Sequence, residues 1–109
     1  MTRELFFKLY HDAQAQPDCD LYIGEYGYPD YFDEISDNPD EIVEKLQAIH
    51  RTANMTMKEI IKAAGMTQKS FARHFDIPLR TVESWCMGDR KCPDYVRLMI
   101  LELLGIIAP

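Results

Sequence analysis

Among the side chains of this 109-residue sequence that could ligate a transition metal or act in catalysis, six are histidines or cysteines. They are three histidines and three cysteines: His11, His50, His74, Cys19, Cys86 and Cys92. Their spacing matches neither CxxC nor the paired Cys/His pattern of structural zinc sites. No Ser/His/Asp or Cys/His pattern carries a recognisable catalytic signature. The sequence therefore indicates a protein with no metal, no cofactor and no catalytic activity, whose thiols are free and reduced.

The charged residues are distributed unevenly between the two halves of the chain. Residues 1–54 carry four basic and twelve acidic side chains, a net charge of -8, whereas residues 55–109 carry eight basic and six acidic side chains, a net charge of +2. The net charge of -6 for the whole chain conceals this division. Within the second half, Arg90 and Lys91 form a basic pair that either binds phosphate or lies in a solvated loop. Such asymmetry indicates that the two halves have different tasks.

Length and composition restrict the class of protein. A chain of 109 residues is long enough for one ordinary domain, and 47% hydrophobic with 28% charged residues is typical of a globular protein. No apolar run approaches the roughly 20 residues that a membrane span needs. The start, MTRELFFKLYHD, lacks the apolar segment and cleavage site of a secretory signal. We expect a cytoplasmic protein that does not associate with membranes.

The first half begins with a predicted helix. Apolar residues at helical spacing favour a helix from Thr2 to about Gln16, stopped before Pro17. The acidic, Tyr-rich segment 20–37 mixes aromatic side chains with glycine and proline, which favours a short strand or an ordered loop. Its aromatic residues either fill a core or self-associate, or they present an interaction surface; they are Tyr22, Tyr26, Tyr28, Tyr31 and Phe32.

Five further helices are predicted from their start and stop signals. Asn38 as the cap and Pro39 in the first turn begin a helix that runs to about Ala53. A capping box, Thr56-Met-Lys-Glu59, begins the next helix, which Gly65 ends. Three more helices are predicted. The first covers residues 68–75 and begins after the cap Thr67, and the second covers residues 79–87 and ends before Gly88. The third begins at Pro93 and ends before Gly105. The residues expected to face inward in these last three helices are Phe71, Ala72, Phe75, Val82, Trp85, Val96, Met99, Ile100 and Leu103.

The segment from Thr56 to Gly105 resembles the helix-turn-helix of the Xre/Cro family of phage-repressor-like bacterial regulators. The resemblance covers about half of the chain. It implies a mainly α fold, a small helical bundle with a Cro/repressor-like helix-turn-helix, to which this chain adds an N-terminal helix and the short strand or loop segment. Where the family often has Gly at the turn, this chain has Asp76, which tolerates the left-handed conformation better than most residues. The matching residues are Thr67-Gln68, Phe71-Ala72, Ile77-Pro78, Arg80-Thr81-Val82, Trp85, Gly88 and Pro93.

The resemblance also implies which residues contact DNA. The second helix of the motif lies in the major groove in this family, so the outward residues of helix 79–87 are expected to meet base edges. They are Leu79, Arg80, Glu83 and Ser84. Arg80 is the principal candidate because its guanidinium can engage guanine O6 and N7 together. The residues expected to contact backbone phosphates are Thr67, Gln68, Lys69, Arg90 and Lys91.

These features predict two parts, an acidic, Tyr-rich segment 1–37 packed on or extending a helix-turn-helix domain over residues 38–109. The function predicted from the resemblance is sequence-specific binding of double-stranded DNA by a homodimeric transcriptional regulator, with repression as the expected mode. One alternative is an antitoxin-like interaction module whose acidic N-terminal half binds a partner protein through residues 1–37. Another alternative is a protein that keeps this fold but has lost DNA binding and uses the domain only for contacts with other proteins.

Overall fold

The computed structural model describes residues 1–26 and 38–109, which form seven helices. The predicted mainly α fold class is confirmed, and the described residues contain no strand. None of their helices is long and apolar enough to cross a membrane. In chain order the helices are α1 (Arg3–Ala15), α2 (Cys19–Tyr26), α3 (Pro39–Ala53), α4 (Met57–Ala63), α5 (Gln68–Phe75), α6 (Leu79–Met87) and α7 (Asp94–Leu103).

Contacts divide the chain into two compact units, Met1–Asn54 with Pro109, and Met55–Ala108. The sequence-based boundary lies after residue 37, and the structure differs because α3 packs against both α1 and α2 and so belongs to the first unit. The structural boundary coincides with the change in charge. The first unit carries a net charge of -8 and the second a net charge of +2.

In the first unit, hydrogen bonds to backbone carbonyls reinforce an apolar core. The Tyr22 hydroxyl donates to the carbonyl of Leu9 over 2.8 Å. At the end of α3, His50 Nε2 donates to the carbonyl of Gln16 over 2.7 Å, and Asn54 Nδ2 donates to that of Ala13 over 3.0 Å. These bonds fix the carboxyl ends of α1 and α3 to each other. The buried side chains of this core include Phe6, Leu9, Tyr10, Ala13, Tyr22, Ile42, Leu46 and Ile49.

The strand or loop predicted for residues 20–37 is wrong for residues 20–26, which belong to α2. The Asp18 carboxylate caps this helix by accepting hydrogen bonds from the backbone N–H groups of Asp20 and Leu21, over 2.9 and 3.1 Å. Burial of Tyr22 against α1 and α3 outweighs the strand preference of an aromatic residue. The remaining aromatic residues of the cluster, at positions 28, 31 and 32, lie outside the described residues.

The second unit is built from α4 to α7, with the predicted capping box of Thr56 and Glu59 present at the start of α4. Its buried apolar side chains include Ile60, Ile61, Phe71, Ala72, Val82, Leu98, Ile100 and Leu101. The predicted inward face of the last helix is partly wrong. Arg97 and Leu98 are buried, whereas Met99 and Leu103 are exposed. The reason is that the Arg97 guanidinium turns inward to donate a hydrogen bond to the carbonyl of Met55.

Candidate nucleic-acid interface

Helices α5 and α6 are joined by a tight turn over residues 76–78. Asp76 adopts the left-handed conformation, with φ of 54° and ψ of 44°, as its position predicts. The turn is closed by a hydrogen bond of 2.9 Å from the N–H of Ile77 to the carbonyl of Ala72. Ala72 on α5 and Val82 on α6 are both buried. The predicted succession of helix, three-residue turn and helix is therefore present.

Helix α6 presents its amino-terminal residues to solvent. Leu79, Arg80 and Glu83 are exposed, and Ser84 is half-buried, so all four predicted base-contacting residues are accessible. Trp85, predicted to lie in the core, is only half-buried. Val82, the other residue of α6 predicted to face inward, is fully buried.

The start of α6 lacks a side-chain cap. Pro78 occupies the cap position and makes no side-chain hydrogen bond, so backbone N–H groups of the first turn remain available to an external acceptor. The positive end of the helix dipole lies at the same place. A phosphate or other anion is the ligand that this arrangement favours.

A surface depression of about 430 Å³ adjoins this helix start. It is lined by Pro78, Arg80, Thr81, Ser84 and Arg90. The loop after α6 folds back so that the N–H groups of Asp89 and Arg90 donate to the carbonyl of Ser84, over 3.0 and 3.4 Å. This fold brings Arg90 to the side of α6 that carries Arg80. The residues that line the depression therefore include two arginines and two hydroxyl-bearing residues, next to a helix amino terminus.

A second depression, of about 350 Å³, lies where α4 ends and α5 begins. Its polar lining residues are Lys58, Lys62 and Gln68, and the remaining lining residues are Ile61, Gly65 and Met66. Gln68 is among the phosphate-contacting residues predicted from the sequence, whereas the two lysines are not. Their spacing of four residues, which places both on one face of α4, is the signal that could have identified them.

The other three predicted phosphate-contacting residues are exposed and line neither depression; they are Thr67, Lys69 and Lys91. Thr67 caps α5 in a capping box with Ser70. Its hydroxyl accepts a hydrogen bond from the N–H of Ser70 over 3.1 Å, and its own N–H donates to the Ser70 hydroxyl over 2.9 Å. The structure therefore gives Thr67 a role in holding the start of α5, and its contact with phosphate stays a prediction.

The cysteines of the second unit lie in packed surroundings. Burial raises the pKa of Cys86, although the ammonium group of Lys58 opposes that rise. Burial also raises the pKa of Cys92 to about 11. Across residues 1–26 and 38–109, no three side chains of His, Cys, Asp or Glu lie together as metal ligands would. The polar groups gathered around α6 are suited to binding an anion.

Comparisons with protein-family models, with curated proteins and with solved structures give no match to this chain. The likeness to the Xre/Cro family therefore depends on the residues of the helix-turn-helix segment.

Proposed function

We propose that the second unit binds double-stranded DNA in a sequence-specific manner and that the protein is a transcriptional regulator of the Xre/Cro type, acting as a repressor. The observation that carries the proposal is the depression shared by Arg80 and Arg90 beside the uncapped start of α6. A helix that enters the major groove with its amino-terminal residues brings such groups to base edges and to the adjoining phosphates.

The second depression is also lined by basic residues. In a helix-turn-helix, the start of the first helix of the motif meets the phosphate backbone while the second helix lies in the groove. Lys58, Lys62 and Gln68 cluster at the start of α5, which is the place for such backbone contacts. Glu83 is exposed on α6 and adds selectivity for DNA sequences that place a cytosine beside it, because its carboxylate accepts a hydrogen bond from cytosine N4.

The direct test is binding to DNA from the upstream region of the protein's own gene, measured by fluorescence anisotropy at several salt concentrations. An unrelated duplex of equal length is the control. We expect at least about 1000-fold tighter binding to the upstream DNA than to the control. The slope of log K against log salt counts the phosphate contacts. Equal binding to both duplexes at every salt concentration would contradict sequence-specific regulation through this DNA.

A second proposed function concerns the first unit. Its net charge of -8 is carried by a separate compact unit, and Leu21 is 62% exposed on α2. An acidic surface with an apolar side chain suits a basic protein partner, as in an antitoxin whose helix-turn-helix regulates its own gene. Purification from the native host tests this proposal. A stoichiometric basic protein that is lost in Leu21→Asp supports it, and purification of the intact chain alone counts against it.

A further inference from the structure

Helix α6 carries two different rows of accessible side chains. Arg80 and Ser84, which are one turn apart, line the depression described above. Leu79, Glu83 and Met87 are also spaced four residues apart, so they form a second row along the helix. None of these three residues lines that depression. Leu79 is 36% exposed and Met87 is 73% exposed, with the exposed Glu83 between them. We call this second row the Glu83 row.

The carboxylate of Glu83 restricts the base edge that it can contact, because it accepts hydrogen bonds and donates none. In the major groove the hydrogen-bond donors of the bases are the amino groups at cytosine N4 and adenine N6. Adenine also presents N7 as an acceptor beside its amino group, and this acceptor repels a carboxylate. Cytosine presents no acceptor there. Cytosine is therefore the base that suits Glu83.

The side chains on both sides of Glu83 suit a methyl group. The amino group of cytosine is attached to C4, and the next ring atom, C5, also points into the major groove. C5 is the atom that carries the methyl group of thymine. Leu79 and Met87 lie one turn before and one turn after Glu83, with Cβ atoms about 5 to 6 Å from that of Glu83. A C5 methyl group beside the cytosine amino group therefore meets an apolar side chain on either side of the carboxylate.

From these observations, we infer that the Glu83 row recognises a cytosine amino group together with an adjacent pyrimidine C5 methyl group. The methyl group has two sources. It belongs either to the same cytosine, when that base is 5-methylcytosine, or to a thymine next to it in the stack. The inference rests on the proposed function, because it requires α6 to lie in the major groove. It adds Met87 to the residues that select the DNA sequence.

The two parts of this recognition have effects of different size. Removing one methyl group from water corresponds to about a fourfold gain in affinity. Thymine in place of the contacted cytosine keeps a methyl group but replaces the N4 donor by the O4 acceptor, which faces the carboxylate of Glu83. This replacement is expected to weaken binding at least about tenfold. Replacing cytosine by thymine and by 5-methylcytosine therefore shifts the affinity in opposite directions.

The test uses the intact chain and a pool of duplexes with a random central region, from which the duplex that binds most tightly is selected. In that duplex each cytosine is replaced in turn by 5-methylcytosine or by thymine, and each thymine is replaced by uracil, which lacks the methyl group. Fluorescence anisotropy measures the affinity for each duplex. We expect one cytosine at which thymine weakens binding at least about tenfold.

The replacements around this cytosine distinguish the two sources of the methyl group. If the cytosine itself supplies it, 5-methylcytosine at this position tightens binding about fourfold. If the neighbouring thymine supplies it, uracil in place of that thymine weakens binding about fourfold.

Variants of the Glu83 row assign these effects to side chains. Glu83→Ala is expected to lose most of the preference for cytosine over thymine. The double variant Leu79→Ala, Met87→Ala is expected to keep that preference and to bind duplexes with and without the methyl group equally. Met99→Ala is the matched control, because Met99 is 53% exposed on α7, and it is expected to keep both preferences. Circular dichroism checks the helices, and each preference is a ratio measured within one variant, so a general loss of affinity cancels.

The outcomes separate this inference from the proposed function. A selected duplex in which no cytosine is preferred, or in which neither source of the methyl group changes the affinity, overturns the inference and leaves sequence-specific binding in place. A methyl effect that persists in the double variant, or that is lost equally in Met99→Ala, also overturns it. A pool that yields no preferred duplex contradicts the proposed function and, with it, this inference.

Discussion

Arg80 and Arg90 line the same surface depression although one lies in the first turn of α6 and the other in the loop that follows the helix. The loop is held there by hydrogen bonds from the N–H groups of Asp89 and Arg90 to the carbonyl of Ser84. Both arginines carry a positive charge, so an anion held in this depression attracts both of them, and single substitutions can separate their roles.

The first prediction separates base recognition from phosphate binding at this depression. Arg80→Ala is expected to lose about 1 to 3 kcal/mol of discrimination between the preferred site and a site with its guanine replaced. Arg90→Ala is expected to weaken binding to all duplexes similarly and to reduce the salt slope by about one. Anisotropy titrations against both duplexes measure these changes.

Arg51→Ala serves as the control for this pair, because Arg51 is exposed on α3 in the acidic unit. It is expected to leave both the affinity and the salt slope unchanged. If Arg80→Ala retains full discrimination while its helical content is unchanged, Arg80 does not read bases. If Arg90→Ala alters discrimination instead, the two roles are exchanged.

The second prediction concerns the lysines that sequence reasoning missed. The double variant Lys58→Ala, Lys62→Ala is expected to reduce the salt slope by about two and to leave the preference between duplexes unchanged, because phosphate contacts carry no sequence information. Lys45→Ala on α3 is the control. A double variant with the original salt slope would show that the depression at the start of α5 lies away from DNA.

The local signals in the sequence predicted the helices of the second unit closely. A capping box at Thr56 and a left-handed Gly88 are local features, because one or two residues satisfy the backbone groups at a helix end. The inward face of α7 was harder to predict. Periodicity treats arginine as a solvent-facing residue, and nothing in the sequence indicates that the Arg97 guanidinium bonds to the distant carbonyl of Met55.

In α2 and in the candidate interface too, contacts between residues that are distant in sequence could not be predicted from local signals. Gly24 and the aromatic residues around it favour a strand or loop locally, but the partner of Tyr22 is the carbonyl of Leu9, thirteen residues away. The predicted site residues Arg80 and Gln68 do line depressions. That Arg90 shares a depression with Arg80 depends on how the loop after α6 folds back, which a pattern of residue types does not encode.

The third prediction tests the bond that places α2 on α1. Tyr22→Phe removes the hydroxyl that donates to Leu9 in a fully buried position, and it is expected to lower the free energy of unfolding by about 0.5 to 1.5 kcal/mol. Tyr95→Phe, at a side chain that is 70% exposed, is the matched control and is expected to change it by less than about 0.5 kcal/mol. Urea denaturation at low protein concentration measures both variants. Equal effects from the two substitutions would show that the Tyr22 hydroxyl contributes nothing specific.

The fourth prediction follows from the burial of Cys92. Burial raises the pKa of this thiol from 9.0 to about 11, with a smaller contribution from Asp94 and against the charge of Arg97. The folded state therefore holds its proton at pH values where the unfolded state has lost it. The contribution of the neutral thiol to stability is complete below pH 9.0 and is lost as the pH rises toward about 11.

Two measurements check the raised pKa of Cys92. The first measurement compares the free energies of unfolding of the original chain and of Cys92→Ala as the pH rises. The comparison is needed because other groups of the protein also lose protons in this pH range. We expect the original chain to lose more stability than the variant, and parallel curves would contradict the raised pKa. The second is alkylation, since the thiolate is the reactive form and Cys19 and Cys86 are both less buried than Cys92. Mass spectrometry of the native protein treated near pH 9.0 is expected to find modification at Cys19 and Cys86 before Cys92, and urea is expected to make all three equally reactive.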